Sequence, residues 1–492
     1  MIVLKFGGSS LQSGAAIRRV TGIVKSQLAS KPVVVVSALG NTTNRLLQIA
    51  EETEHGRRYG AWKAIKELWE YHTGVAEEVI ERSAYPCLEE SLRHQFTSLH
   101  RLVATLEDEG RELTPALYDE ILSYGERLSS AIVNTAMHSA GIPSVQVDAR
   151  QLILTDNQHT HATPLYWETY AKLRRIIPRL AMDRTVVMGG FIGATESGVT
   201  TTLGRGGSDL TASIVGAAYC AEEVQIWTDV DGILTCDPRV YDRGYKLKSI
   251  SYQEAAAMAY GGAKVLHPDT VAPAMRQRIP ITVRNSRRPE VAGTRVVATA
   301  EQCAHVVKSI ACKSDLTVLE IRLRGDAEGN LDALRQLCGC HGVSPEFLAQ
   351  NGEAVYLAIQ SSDRYDRLQM EIEGCVEVRL RPERAILTLA GADIPRTPSL
   401  KAQVLNALKN TEAVILWDHH DAPAMSIVVP QDDLRKSVEA LHRELFSQPD
   451  QRVLAEVNRP LPEEAEVRLT SPVVSRPQAA PGMPHRLGLA ER

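Results

Sequence analysis

Residues 31–38 read Lys-Pro-Val-Val-Val-Val-Ser-Ala, with four consecutive valines and no polar residue among them. A strand with one wet face alternates apolar and polar residues. An unbroken β-branched run is dry on both faces, which is the condition of a strand inside a parallel sheet covered by helices. Met1–Phe6 reads as a second buried strand, followed by Gly7-Gly8-Ser9-Ser10 and a helical pattern over residues 15–28. Strand, glycine turn, helix, strand is the order of a βαβ unit, so the chain begins as an α/β sandwich.

The same grammar continues. A long helical region over about 45–138 is broken at Tyr85-Pro86 and Thr114-Pro115, and contains SYGERLSS (123–130) at the head of an amphipathic helix. Short strands are predicted at 144–147 and 185–193. The loop TTTLGRGGSD (200–209) then feeds an apolar helix over 212–221. Residues 224–229 form a strand ending in TDVDG, Asp237-Pro238-Arg239 is a turn, 251–260 is a helix, and the 261–268 segment starts another. A strand at 279–284 closes this region, giving a first domain of residues 1–300. Beyond it, a strand at 316–323, a helix at 330–340 and strands at 354–360 and 376–380 around a second helix are followed by strands at 385–390, 414–418 and 425–429 with helices at 399–409 and 432–446. These are two βαββαβ-like units, 307–382 and 383–450, the pattern of a duplicated ferredoxin-like module. Residues 451–492 are rich in proline without apolar periodicity and are expected to be a flexible tail.

With 492 residues, two or three domains are expected. A net charge of −5 and the lack of a basic block argue against a nucleic-acid partner. The N-terminus is apolar too briefly for a signal peptide or a membrane span, and it carries a lysine, so a cytoplasmic protein is expected. Eight cysteines lie scattered without zinc-site spacing, as suits reduced, buried thiols.

Three stretches carry candidate chemistry. The GRGGSD loop brings free amides and the positive end of a helix dipole to one place, which suits an anion. Lys5 lies on an apolar strand just before two glycines; a lysine there is costly unless its ammonium meets an anion, and a phosphate close to the glycine amides would supply one. Because the lysine precedes the glycines, this is not a Walker A loop. Asp209 reads either as a helix cap or as a carboxylate holding a lysine or a magnesium ion beside phosphates. Arg205, between glycines, is free to grip a carboxylate or to stand in solvent. Glu126 and Arg127 read equally as a ligand pair and as a solvated helix face. Thr228 and Asp229 lie at the carboxyl end of a strand, where open α/β sheets bind ligands.

Taken together and in order, KFGGSS, VVVVSALGNTTNRL, SYGERLSS, GGFIGATESGVTTTLGRGGSD, WTDVDGILTCDPR and GGAKVLHPDT resemble the aspartate kinases over roughly residues 1–290. The resemblance implies an amino-acid-kinase three-layer α/β sandwich followed by two ferredoxin-like (ACT-type) α+β modules that bind an amino-acid effector and join copies into a homodimer or larger homo-oligomer. It implies transfer of the ATP γ-phosphoryl group to L-aspartate, giving 4-phospho-L-aspartate on the way to lysine, threonine and methionine, with Mg2+ accompanying the nucleotide. By the same resemblance, Lys5 stabilises the transferring group and Asp209 orients the lysine. Gly7, Gly8 and Ser9 line the phosphates, Arg205 takes the substrate α-carboxylate and Glu126 its ammonium. Ser37, Thr43 and Ser208 supply hydroxyls around the substrate, and Thr228, Asp229, Arg239 and Lys264 match nucleotide positions. A carboxylate with a reference pKa near 4 is already ionised at neutral pH, so the reaction needs no general base. The sequence departs from the family at Leu234, where an aromatic residue is usual. It departs again at Gly391–Pro395 and at His419-His420, where an effector loop is expected. A kinase for another acid substrate such as glutamate or N-acetylglutamate, and an effector sensor without catalysis, are the competing readings; the Glu126–Arg205 pair argues against the N-acetylated acid.

Overall fold

The computed structural model describes residues 1–457 except 109–111, 264–265, 267, 302–305, 323–326, 342, 344, 352–353, 362–367, 369, 371, 373–376 and 417–422. Met1–Glu456 form one compact unit.

Eight strands build the first sheet, in the order Ser144–Val147, Thr185–Gly189, Val33–Val36, Ile2–Phe6, Glu223–Thr228, Ile281–Asn285, Thr294–Val297, Ser249–Ser251. Neighbours among the first six are parallel, and Thr294–Val297 runs against Ile281–Asn285. The all-valine strand lies inside the sheet, as its composition requires. Its side chains alternate between two layers. Val33 and Val35 bury with Val3 and Ile226 against the helices Tyr166–Leu180 and Gly207–Tyr219. Val34 and Val36 bury with Leu4 and Phe6 against the helices Gly14–Ser26, Thr42–Glu54 and Pro115–Ser139. Each such side chain contributes roughly 1.5–3 kcal/mol, so a charge at Val34 would break the layer it fills. The result is a sheet between two helical layers.

One feature of the helical region differs from the sequence reading. SYGERLSS lies in the middle of Pro115–Ser139, not at a helix head. The Thr114-Pro115 break is where this helix starts: Thr114 accepts a hydrogen bond from Leu117 N at 3.4 Å, and Pro115 occupies the first helical position.

A second sheet of six antiparallel strands follows, ordered Phe347–Asn351, Ala354–Gln360, Ser309–Arg322, Glu377–Ala390, Ala424–Pro430, Val414–Leu416. Strands predicted separately at 376–380 and 385–390 are one strand, which runs across the 382/383 boundary. Pro382, between the two stretches, sits at a bulge, where Val318 faces Arg381 and Leu316 faces Arg384, a place where proline costs no ladder hydrogen bond. The strand expected at 316–323 likewise begins at Ser309, and its first residues pair with Ile386–Ala390. The helix expected before residue 376, and His419-His420, fall largely or wholly outside the described residues.

The two sheets share one core. Ile310, Leu387 and Leu389 of the second join the apolar cluster that holds Ile281 and Val283 of the first. Lys308 and Glu254, both buried, pair at 3.1 Å across this junction. Helix Leu434–Leu445 seats His442 between Tyr241, Tyr245 and Phe446, with Nε2 3.0 Å from Thr235 Oγ1. Burial pulls this imidazole down to about 4, so it is neutral here. The tail expected from 451 is not free at its start: Leu454–Ala455 pairs with Lys246–Leu247, and Val453 and Leu454 are buried. None of the six described cysteines is in a disulfide; Cys236 and Cys338 are buried as expected, but Cys87, Cys220 and Cys340 are exposed. No helix among the described residues is long and apolar enough to cross a membrane.

Candidate active site

Lys5 is the next-to-last residue of the central strand Ile2–Phe6, between Val35 and Ile226 in register. Its ammonium stands 2.6 Å from Asp209 Oδ1, with both side chains largely buried. The contact is an ion pair without hydrogen-bond alignment. Asp209 lies in the first turn of Gly207–Tyr219 but does not cap it. The cap position is Gly206 at φ +72°, with no side-chain hydrogen bond. A Cβ there would also come within 2.6 Å of Thr270 Cγ2, so only glycine makes this turn. The carboxylate is left to complement the helix dipole and to hold the lysine.

Glu126 is buried, 3% exposed. The residue before it explains how: a Cβ on Gly125 would lie 2.8 Å from Ala38 Cβ, so the helix approaches the 37–40 turn closely only because Gly125 has none. At that separation Glu126 Oε1 accepts the Ala38 amide at 3.1 Å. Oε2 is buried with no partner. Burial pushes this carboxyl up to about 8, against the pull of the Ala38 amide and Lys5. A buried, half-satisfied acceptor facing a cavity is a place for a cation. The solvated-face reading applies to neither neighbour, since Arg127 turns away to pair with Glu120 at 3.0 Å.

A cavity of about 810 Å³ joins these groups: Lys5, Asp209 and Ser208 line it together with Ser37, Thr43, Glu126 and Arg205. Arg205 is exposed at the rim between two glycines. An ammonium beside a carboxylate, a lone acceptor and an exposed guanidinium thus face one space, which suits a small zwitterion with a further anionic group.

The other expected positions are arranged differently. Gly7 donates its amide to Trp227 O at 3.1 Å, so that amide is not open to a phosphate. Gly8 and Ser9 open the 3-10 turn Gly8–Ser10, and their amides precede any intrahelical acceptor. Thr228 ends the strand beside Lys5, its hydroxyl 3.2 Å from Asp229 Oδ1. Asp229 and Arg239 are exposed, and Arg239 is paired with Asp237. None of Thr228, Asp229 and Arg239 lines the cavity. Leu234 is half-buried and bridges to Lys246 through its backbone. Lys264 lies outside the described residues. Among the described residues, no three His, Cys, Asp or Glu side chains are grouped to hold a metal.

Sequence reasoning passed over several residues that line the cavity, among them Thr160, His161, Phe191 and Thr202. Phe191 lies in the quoted GGFIG stretch at φ +65°, an uncommon conformation for an aromatic residue. Only the coordinates reveal it.

Residues 1–285 match the amino acid kinase family. The chain is 30% identical over 459 residues to the lysine-sensitive aspartokinase 3 of Escherichia coli, covering 91% of this chain and 99% of that protein. It is 30% identical to the chloroplastic aspartokinase 1 of Arabidopsis thaliana over 470 residues, 91% of this chain and 80% of the other. The structure of E. coli aspartokinase III in complex with aspartate and ADP, described as the R-state, superposes with a TM-score of 0.77 at 28% identity, covering 91% of this chain and all of that one. The T-state structure of the same enzyme with lysine and aspartate gives 0.75 at 29% identity, over 91% and 99% of the two chains.

Proposed function

The chain belongs to the amino acid kinase family and, within it, to the aspartokinases, and we propose that its cavity holds L-aspartate against the phosphate end of ATP. The γ-phosphoryl group passes to the side-chain carboxylate, giving 4-phospho-L-aspartate and ADP, the first step towards lysine, threonine and methionine. The observation that carries this reading is Glu126: a buried carboxylate oxygen with no partner, in the same cavity as an exposed arginine and a buried lysine. Glu126 takes the α-ammonium and Arg205 the α-carboxylate, a pairing that an N-acylated acid could not satisfy. Arrival of the ammonium supplies the charge that Glu126 lacks and returns it to the ionised form.

The acceptor is already an anion, so the residues have two tasks: to bring two anions together and to offset the charge on the moving group. Lys5 does the second, held in place by Asp209. Ser37, Thr43 and Ser208 give hydroxyl contacts to the acceptor. Gly8 and Ser9 offer amides to the phosphates, and Gly7 serves by holding the turn to Trp227. Thr228, Asp229, Arg239 and Lys264 form the nucleotide side. Magnesium enters with the nucleotide. With no His, Cys, Asp and Glu cage among the described residues, phosphate oxygens would hold most of it, and Asp209, one oxygen of which meets Lys5, would offer the other. Bound there, the ion offsets phosphate charge.

The six-stranded sheet, read as two interlocked ACT-type modules over 307–450, is proposed as the seat of an amino-acid effector and of contact with a second copy. The likeness to an aspartokinase complexed with lysine supports this. Hydroxylamine trapping of the acyl phosphate, with ATP and either aspartate or glutamate, tests the catalytic reading. Turnover with aspartate well above glutamate is expected; none with aspartate overturns it.

A further inference from the structure

Asp119 lies seven residues before Glu126 on the same helix, about 10 Å at 1.5 Å per residue, and is completely buried. A carboxylate taken that far from water is costly unless it is well supplied with donors. Oδ1 accepts the Thr202 hydroxyl at 2.6 Å and the Thr160 amide at 3.1 Å. Oδ2 accepts the Thr160 amide at 3.0 Å and lies 2.9 Å from His159 Nδ1. These donors come from two segments that meet at Arg205. Thr202 ends the strand that runs into Gly204-Arg205-Gly206, while His159 and Thr160 belong to the turn packed on that loop. Ala162 N joins the two segments through Thr202 O at 2.9 Å. Gly204 has φ +72°, and a Cβ there would lie 2.8 Å from His161 Nδ1 and 3.3 Å from Thr160 O. Thr160 is itself held at φ +72°, a conformation that costs energy for a β-branched residue.

We propose that Asp119 is a positioning residue for substrate selection: it ties the Arg205 loop to the helix that carries Glu126, and so sets the spacing between the two groups that grip an α-amino acid. The inference rests on the roles proposed above for Arg205 and Glu126. A helix is stiff over two turns, so the position of Arg205 is referenced to Glu126 through backbone rather than through a mobile side chain. A carboxylate serving only the fold would share the burial and the donors but would not single out one substrate.

The test is Asp119→Asn, which keeps the shape but turns an NH2 towards donors. It is read by steady-state kinetics with aspartate and ATP varied separately, and by calorimetric titration of aspartate. The expected result is an aspartate KM and Kd raised about tenfold or more, an ATP KM within about twofold of wild type, and kcat reduced less than KM is raised. Thr202→Val, which removes one donor and leaves the carboxylate, moves the aspartate KM the same way by about threefold. Thr160→Gly added to Asp119→Asn recovers part of the loss, because glycine takes φ +72° without strain. If Asp119→Asn does not fold, Thr202→Val and His159→Asn carry the same comparison. A parallel rise in both KM values with a lower Tm, or a fall in kcat with the aspartate KM unchanged, overturns the proposal. Absence of aspartate-dependent acyl phosphate from the wild type would instead defeat the underlying reading, before any variant is compared.

Discussion

On the proposed acceptor side, Glu126 is buried against the 37–40 turn with one oxygen unpartnered. On the proposed nucleotide side, Asp229 and Arg239 stand exposed on loops, Arg239 paired only two residues away with Asp237. The first arrangement stores an unfavourable state in the empty protein and gains when the right cation arrives. The second stores little, because water already solvates its charges. Selectivity is therefore concentrated where the protein carries the cost in advance. The proposed nucleotide side would read a ligand that brings its own charge.

The largest effect separating the two sides is expected at Lys5, which serves both. Lys5→Ala should lower kcat by about a thousandfold, the order seen when a donor to developing negative charge is lost, with a much smaller change in aspartate affinity measured by titration. Equal losses in turnover and affinity would move Lys5 to a binding role. Next, Arg205→Ala should raise the aspartate KM by about a hundredfold through loss of a charge-assisted grip, and leave the ATP KM in place. An ATP KM that rises with it would erase the distinction between the sides.

Glu126→Gln sharpens the comparison through pH. Burial lifts the folded-state carboxyl to about 8 from an ordinary value of 4.5. The folded protein therefore holds this proton more tightly than the unfolded chain does. The stability tied to the protonated form is complete below pH 4.5 and is lost as pH rises to 8. Without ligand, the glutamine variant should match the wild-type Tm near pH 4.5 and exceed it increasingly up to pH 8. In the wild type, the aspartate KM should fall several-fold from pH 6.5 to 8 as the carboxylate forms, with the glutamine variant flat and weaker by at least tenfold. A wild-type KM without pH dependence in that window would remove Glu126 as the ammonium acceptor. The smallest change belongs to Arg239→Ala, which should raise the ATP KM about two- to fivefold, as expected of an exposed charge, and not affect aspartate.

Much of this molecule was legible in order along the chain. The all-valine run and Met1–Phe6 announced a sheet buried on both faces, and the glycine loops marked its carboxyl ends, where seven of the predicted side chains share one cavity. Local rules misled where a residue type has two uses. The stretches 376–380 and 385–390 read as two strands and are one, since Pro382 between them sits in a bulge and the Arg384 side of that bulge continues the same strand. Residues 452–455 looked like free tail because their composition gives no period, but Val453 and Leu454 fill a gap beside Leu247 that belongs to a distant part of the chain.

The sequence by itself determined the parallel sandwich, the loops that end its strands, and the residue types offered to a ligand there, because burial on two faces and positive φ are written into single residues and short periods. Only the tertiary structure decided that Asp209 meets Lys5 rather than capping its helix, that Glu126 loses water on every side, and that Asp119 holds the loop of Arg205. Those outcomes depend on how closely two segments far apart in the chain approach, and the balance between desolvation and pairing changes over a few ångströms.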